Sequence, residues 1–507
     1  MIVNLSADSL FDPTTLDFNE ETFDDAALLR EGFEDVIDRY ADTQVTHIFL
    51  NANYQRTCYQ SKVWSSFWDI PEPDPKGSGW MLAWRAVRAG VDVFEICIQR
   101  CREKGISPWL SMRMNDWHNL HNPEIACPRW WEHPELRLSP KGTFDFAHSE
   151  VRDYHFELVV EFLQQYEIDG VELDWMRGPP FFKPDQAEAG CKWLTEFMRN
   201  VRQAADRCSD RLGRKLGIAV RVPGVPEHAA GFGLDAVTWA REGLVDILIP
   251  TAVWMPTDFD MPMEAWREQI GARDRPFRLA AGSDLWVRCT SNGAKMKSTP
   301  ESLRGFSASM LSRGADAIYL FNHFNEPKDF RFFLQADDGN RTVERTHKEL
   351  LSEGGEMETA MAGPRRHVLT LRNTVPPGIE FDEPLPRMVG AGSSETFHIH
   401  TGPAGREGKG VVRVGLDGEG ALASADLKVE LNGSATIPVE DLTDRSRSVP
   451  PEHEGDGVVW NVADTALRML QFEFPLSALR QKHNEIKIRS ARDETWQVVW
   501  LEVFINC

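Results

Sequence analysis

The chain is short of positive charge. Its 56 Lys and Arg face 78 Asp and Glu, for a formal net charge of −22. That balance argues against nucleic acid or an anionic membrane as partner, since both demand a basic face. Long apolar runs are also missing. None approaches the roughly 20 residues that span a bilayer. The opening stretch, "MIVNLSADSLFDPTTLDFNEE", has neither a basic n-region nor an apolar h-region, so the cytoplasm is the expected location. Eight cysteines are scattered without paired spacing. Cys97 and Cys101 sit four apart, but no second pair completes a zinc site, and buried thiols are expected. There is no glycine-rich phosphate loop. The His-x-His that a metal-dependent barrel hydrolase carries after its first strand is absent. No lysine falls on an inward position of strands four to eight, as a Schiff-base enzyme requires. No cofactor or metal is expected, and the oligomeric state is not legible.

What the chain does have is the composition of an ordinary globular protein, 507 residues with 42% hydrophobic and 26% charged, long enough for two or three domains. Up to about residue 355, eight short apolar runs alternate with amphipathic helical patterns. The runs are "IVNL" (2–5), "VTHIFLNAN" (45–53), "ISPWLSMRMN" (106–115), "IDGVELDWM" (168–176), "KLGIAVRV" (215–222), "VDILIPT" (245–251), "FRLAAGS" (277–283) and "DAIYLFN" (316–322). Helical patterns such as "EVRDYHFELVVEFLQQY", "EAGCKWLTEFMRNVRQAADRC" and "ERTHKELLSEGG" separate them, several ending in Gly. Eight such units predict an α/β fold, a (β/α)8 TIM barrel over 1–355, ahead of a doubly wound open sheet. The long strand-to-helix loops, 54–91, 116–149, 284–300 and 323–341, then open on one face. Trp64, Trp68, Trp80, Trp117, Trp130, Trp131, Trp254 and Trp286 crowd there, either packing the loops or offering flat platforms to a ring-shaped ligand. Beyond "GGEMETAMAGPRR" the helical period fades. Seven alternating segments and an Asn432-Gly433 hairpin signal predict an antiparallel, jelly-roll-like β-sandwich over 366–507.

The stretch that asks for an explanation is "EIDGVELDWMRGPPFF", 167–182. Strand residues alternate faces, so Glu172 and Asp174 share one, about 7 Å apart along the strand. Val171, Leu173 and Trp175 suit the helix-facing side, which turns both acids into the barrel. One reading makes them a structural pair neutralised by Arg113 and Arg221 on the neighbouring strands, because a buried acid must be paired or protonated. The other gives Asp174, nearest the mouth, a direct catalytic role, with Glu172 positioning it or holding a proton.

"DGVELDWMR" resembles the fourth-strand motif of (β/α)8 glycoside hydrolases. It is similar to the chitinase pattern D-G-x-D-x-D-x-E at Asp169-Gly170, Glu172 and Asp174, but position 176 is Met where that pattern has its acid, which speaks against a chitinase. The string as a whole resembles family-10-like glycosyl hydrolases of environmental bacteria, and the segment ending the chain is similar to the last hairpin of jelly-roll modules appended to glycosidases. The resemblance implies two carboxyl groups, one protonating the leaving oxygen and one attacking or activating water. An α-galactosidase-like pattern implies Asp174 as nucleophile and Asp258 or Asp260, after strand six, as its partner. Asp284, Asp116 and Glu326 follow as candidates. Polar groups converging on the same mouth are expected to hold the sugar: Asn51, Asn53, Tyr54, Arg56, Arg113, Asn115, Asp116, His118, Arg177, Arg221, Trp254, Trp286, Asn322, His323 and Glu326. The arginines suit an anionic, uronic or sulfated sugar. The rivals are a catalytically silent carbohydrate-binding barrel and, on Asp116, His118 and His121, a metal-dependent barrel hydrolase.

Overall fold

The computed structural model describes residues 1–11, 25–69, 80–123, 125–253, 256–273, 275–322, 331–335, 342–390, 392–405, 407–418, 427–442, 458–459, 462–490 and 495–506. Each of the eight apolar runs holds one parallel strand: β1 Ile2–Leu5, β2 His47–Asn51, β3 Ser107–Arg113, β4 Gly170–Asp174, β5 Gly217–Pro223, β6 Ile247–Thr251, β7 Arg278–Asp284 and β8 Ala317–Phe321. They close into a ring in which each strand pairs with the next. The open-sheet alternative fails at one seam, where β1 pairs with β2 on one side and with β8 on the other, Ile2 opposite Tyr319 and Asn4 opposite Phe321.

Alternation then sorts the residues. Inward residues at the lower end, Ile2, Phe49 and Trp109 among them, form an apolar plug that continues upward through Ile249, Tyr319 and Phe321. Trp109 fits because β4 and β5 both start with glycine. A Cβ on Gly170 or Gly217 would lie 2.4 or 2.3 Å from its ring, closer than van der Waals contact allows. Above the plug the inward positions turn polar, and that change marks the mouth. The outward residues Val171 and Leu173 are fully buried. Helices Ser149–Gln165 and Ala187–Leu212 flank β4 in sequence, and the second stops at Gly213, whose φ of 67° is left-handed.

The long loops carry structure of their own. Trp286–Val287 pairs with Lys295–Lys297, which also pairs with Val458–Val459 of the C-terminal region. Arg331–Gln335 pairs with Thr342–Thr346, so the helix expected from Glu344 starts later. It spans His347–Glu353, where Thr346 and Glu349 form a reciprocal cap.

The C-terminal region is the expected antiparallel sandwich. One sheet runs Arg365–Val368, Trp496–Ile505, Lys409–Asp417, Arg468–Pro475, Ile437–Asp441, with Arg387–Val389 also on Trp496–Ile505. The other runs Ser394–His400, His483–Ser490, Leu427–Leu431, Ser434–Ala435. Asn432 and Gly433 make the expected two-residue turn, both at positive φ (52° and 82°) with Leu431 opposite Ser434. "HIH" (398–400) does not alternate as surface residues. His398 is exposed, but His400 is buried against the barrel, its Nδ1 2.8 Å from Ser309 Oγ, because that end of the strand docks on helix Pro300–Ser312.

That docking is close. Gly305 of the helix lies against the backbone of Arg366, where a Cβ would sit 1.9 Å from the carbonyl oxygen. Glu502, wholly buried, accepts from Arg366 and Arg413 at 2.7 Å each. Arg372, following the first strand of the sandwich, donates to Asp258 Oδ2 at 2.7 Å on the barrel.

Candidate active site

Glu172 and Asp174 both point into the barrel, as alternation requires. Glu172 is fully buried and held at both oxygens: Tyr319 donates its hydroxyl to Oε1 at 2.6 Å and Asn4 donates Nδ2 to Oε2 at 2.7 Å. Burial, and then the charge of Asp174, push its carboxyl up to about 7, against the opposing hydrogen bonds of Ser111 and Tyr319. Asp174, one layer higher, forms an ion pair. Arg221 meets both its oxygens through one guanidinium nitrogen, at 3.1 and 3.2 Å, and the Met176 amide donates to Oδ1 at 2.9 Å. Arg221 is in turn fixed by a bond to the Ala252 carbonyl at 3.2 Å and lies over Phe321, 3.5 Å from the ring centre, a cation–π contact.

A second charged pair stands beside the first on β3. Arg113 donates to Asp116 Oδ2 at 3.1 Å and to Ser6 Oγ at 3.3 Å, with the Tyr54 ring 3.9 Å beneath it. Asp116 also accepts from the His118 amide and ring, both at 2.8 Å. Burial alone would raise the Asp116 carboxyl, but the His118 hydrogen bond and the Arg113 charge hold it well below the usual carboxylate range. Asp284 ends β7 opposite Phe321 of β8, on the inward parity, and is buried.

Other expected residues are placed differently. Asn53 spends its amide on the backbone of Tyr54 and Arg113, and Asn115 on Phe144 and Gly178. Asp258 turns to Arg372 and to the Asp260 amide, and Asp260 to Arg313 and His483. These two acids face the sandwich, because the chain after β6 is laced to the segment that follows its first strand. Asn51 is buried, with its Oδ1 lacking a partner among the described residues. Asn322 is buried at a positive φ of 52°. Arg56 bonds the Ile125 carbonyl at 3.1 Å. Of the tryptophans, Trp64 stacks on Tyr154, Trp130 is buried under Arg137, Trp286 is half-buried, and Trp117 and Trp131 are exposed. Trp254, His323 and Glu326 lie outside the described residues, and so does the side chain of Trp80.

Four residues the sequence reading passed over complete the site: Asn4, Ser111, Tyr319 and Phe321. The signal was present, because each sits on the inward parity of its strand and three are polar groups in apolar runs. Among the described residues no three His, Cys, Asp or Glu side chains gather as a metal cage, and no helix is long and apolar enough to cross a membrane.

No protein-family model matches the chain, and no curated protein does. Many solved structures do. Alpha-L-fucosidase isoenzyme 2 from Paenibacillus thiaminolyticus is 13% identical with a TM-score of 0.38, over 63% of this chain and 45% of that one. Isoenzyme 1 from the same organism is 14% identical with a TM-score of 0.34, over 97% and 96%. Chitinase ChiA74 from Bacillus thuringiensis is 11% identical with a TM-score of 0.38, over 98% and 99%. The chain thus spans less than half the length of isoenzyme 2. Likeness at this level speaks to neither substrate nor mechanism, and the (β/α)8 barrel rests on its own strand pairing.

Proposed function

We propose that the barrel is a glycoside hydrolase of the family-10-like kind that its sequence as a whole resembles. The observation that supports this most is the division of labour between two carboxyls on one face of β4. Asp174 is ion-paired with Arg221 at the mouth, while burial pushes the carboxyl of Glu172 below it up to about 7. In this reading Asp174 faces the anomeric carbon, as nucleophile or as the charge that stabilises the cationic transition state. Asp284, inward at the end of β7, protonates the leaving oxygen. The glycosidic C–O bond breaks, and water supplies the new hydroxyl and the proton. Glu172 touches no substrate in this scheme. An arginine at the mouth that is not spent on an acid of the site extends the reading to a sugar bearing a carboxylate or sulfate.

The test is turnover across a panel of aryl glycosides and oligosaccharides, neutral and acidic. Asp174→Asn and Asp284→Asn should each lower kcat by roughly 10²–10⁴-fold while sugar binding persists, the range general acid–base groups contribute. One observation favours the second reading, a silent carbohydrate-binding barrel: both oxygens of Asp174 are engaged and the side chain is 1% exposed. Wild-type protein that binds glycans and cleaves none of the panel would establish that reading instead.

A further inference from the structure

Three guanidinium groups enter the barrel mouth, and two are internally neutralised. Arg221 is spent on Asp174 and Ala252, Arg113 on Asp116 and Ser6. The third, Arg177, is different. It is 5% exposed, yet among the described residues no carboxylate lies within ion-pair distance of it, and its Nε, like that of Arg221, meets no hydrogen-bond acceptor. Its guanidinium carbon sits 5.3 Å from the centre of the Phe321 ring, the ring that also carries Arg221. Burial, and then the like charge of Arg113, lower its pKa to about 10, so it stays charged at neutral pH.

A buried charge with no ion-pair partner among the described residues is costly to a folded chain, and this one is held in place. The Arg177 carbonyl accepts from the Asn115 amide at 3.0 Å. Asn115 Nδ2 donates to the next carbonyl, Gly178, at 3.4 Å. Gly178 has a φ of +96°, and a Cβ there would lie 1.6 Å from the Asn115 carbonyl oxygen, so only glycine permits the approach. The turn after β4 is therefore pinned to the chain after β3, with Arg177 carried on it.

We propose that Arg177 is the anion-recognition residue of the site, and that its missing counter-charge is the carboxylate or sulfate ester of an acidic sugar. This rests on the carbohydrate reading of the barrel and deepens it by naming the residue that selects an acidic sugar. A single negative group fits better than a dianion, because Asp116 and Asp174 already act on Arg177. The planar fork of the guanidinium takes such a group through two parallel N–H bonds. Arg113 and Arg221 are positioning residues for Asp116 and Asp174.

The experiment has two arms. In the first, thermal shift and calorimetry compare glucuronate, galacturonate and the 6-sulfates of glucose and galactose with neutral glucose and galactose. At least one acidic sugar should bind wild type at least about tenfold more tightly than its neutral counterpart, as charge-assisted bonds imply. Arg177→Gln should abolish that preference, and the carboxylate and sulfate probes separate the two sources of charge. In the second arm, the melting temperature of ligand-free Arg177→Gln should equal or exceed that of wild type, because a buried charge with no direct ion pair has been removed. Equal binding of acidic and neutral sugars, binding of neither, or a variant several degrees less stable than wild type overturns the proposal. Neutral and acidic glycosides cleaved with equal kcat/KM would sink it while leaving the hydrolase reading intact. Acidic sugars bound through Arg177 but never cleaved would do the reverse.

Discussion

Glu172 offers a measurement in which the sign is fixed before the experiment. Its carboxyl rises from an ordinary 4.5 to about 7 on folding, chiefly through burial and then through Asp174. At about 1.4 kcal/mol per unit, the shift corresponds to roughly 3 kcal/mol. The side chain is 0% exposed, so solvent screening takes little from that figure. Because the folded value is the higher one, the folded protein keeps a proton that the unfolded chain has released between about pH 4.5 and 7. The contribution to stability is full below 4.5, is lost as the pH climbs through 7, and is constant above. Glutamine in its place has no charge to lose and keeps an acceptor for Asn4 or Tyr319. Urea unfolding of wild type and Glu172→Gln between pH 4.5 and 8.5 gives two curves, and their difference cancels most other titrating groups. The variant should gain on wild type by roughly 3 kcal/mol across this window and then level off. In an Asp174→Asn background the midpoint of that gain should move toward acid, since the neighbouring charge is the second cause of the shift. A difference that stays flat, or falls as pH rises, would refute the reasoning.

The ion pair above it behaves differently. Arg221→Met leaves Asp174 buried without its partner and should cost about 3–5 kcal/mol in chemical denaturation. Adding Asp174→Asn should recover part of that loss, and strictly additive single effects would mean that the two are not coupled. Gly178→Ala forces a Cβ into the Asn115 carbonyl at a positive φ, and should destabilise by about 2–4 kcal/mol. A wild-type melting temperature for that variant would show that the turn relaxes.

The barrel was legible because its signals are local. Each strand is a short apolar run bounded by turn residues, and eight of them in alternation with helices leave few topologies open. The inward direction of Glu172 and Asp174 followed from period two alone. Which acids face the mouth after β6 was not legible. "TDFD" is an exposed-looking loop in the sequence, and nothing local announces that Arg372, more than a hundred residues on, ties Asp258 to the sandwich. The same holds for Asn53 and Asn115. An asparagine after a strand can serve a ligand or the backbone, and only the fold shows that these two close turns. Tyr319 and Asn4 were readable from parity, but each gains meaning only when barrel closure brings β1 and β8 around to β4.

Gly305 pressed on the backbone of Arg366, with Ser309 reaching His400 above it, makes the sandwich something other than cargo on a tether. Main chain meets main chain there, so neither half of the seam can drift or be exchanged without reshaping the other. Transplanting the sandwich onto another scaffold would have to carry that glycine and its helix along. A chain cut near residue 355 would leave the helix presenting a bare furrow to water, and aggregation would be its natural fate.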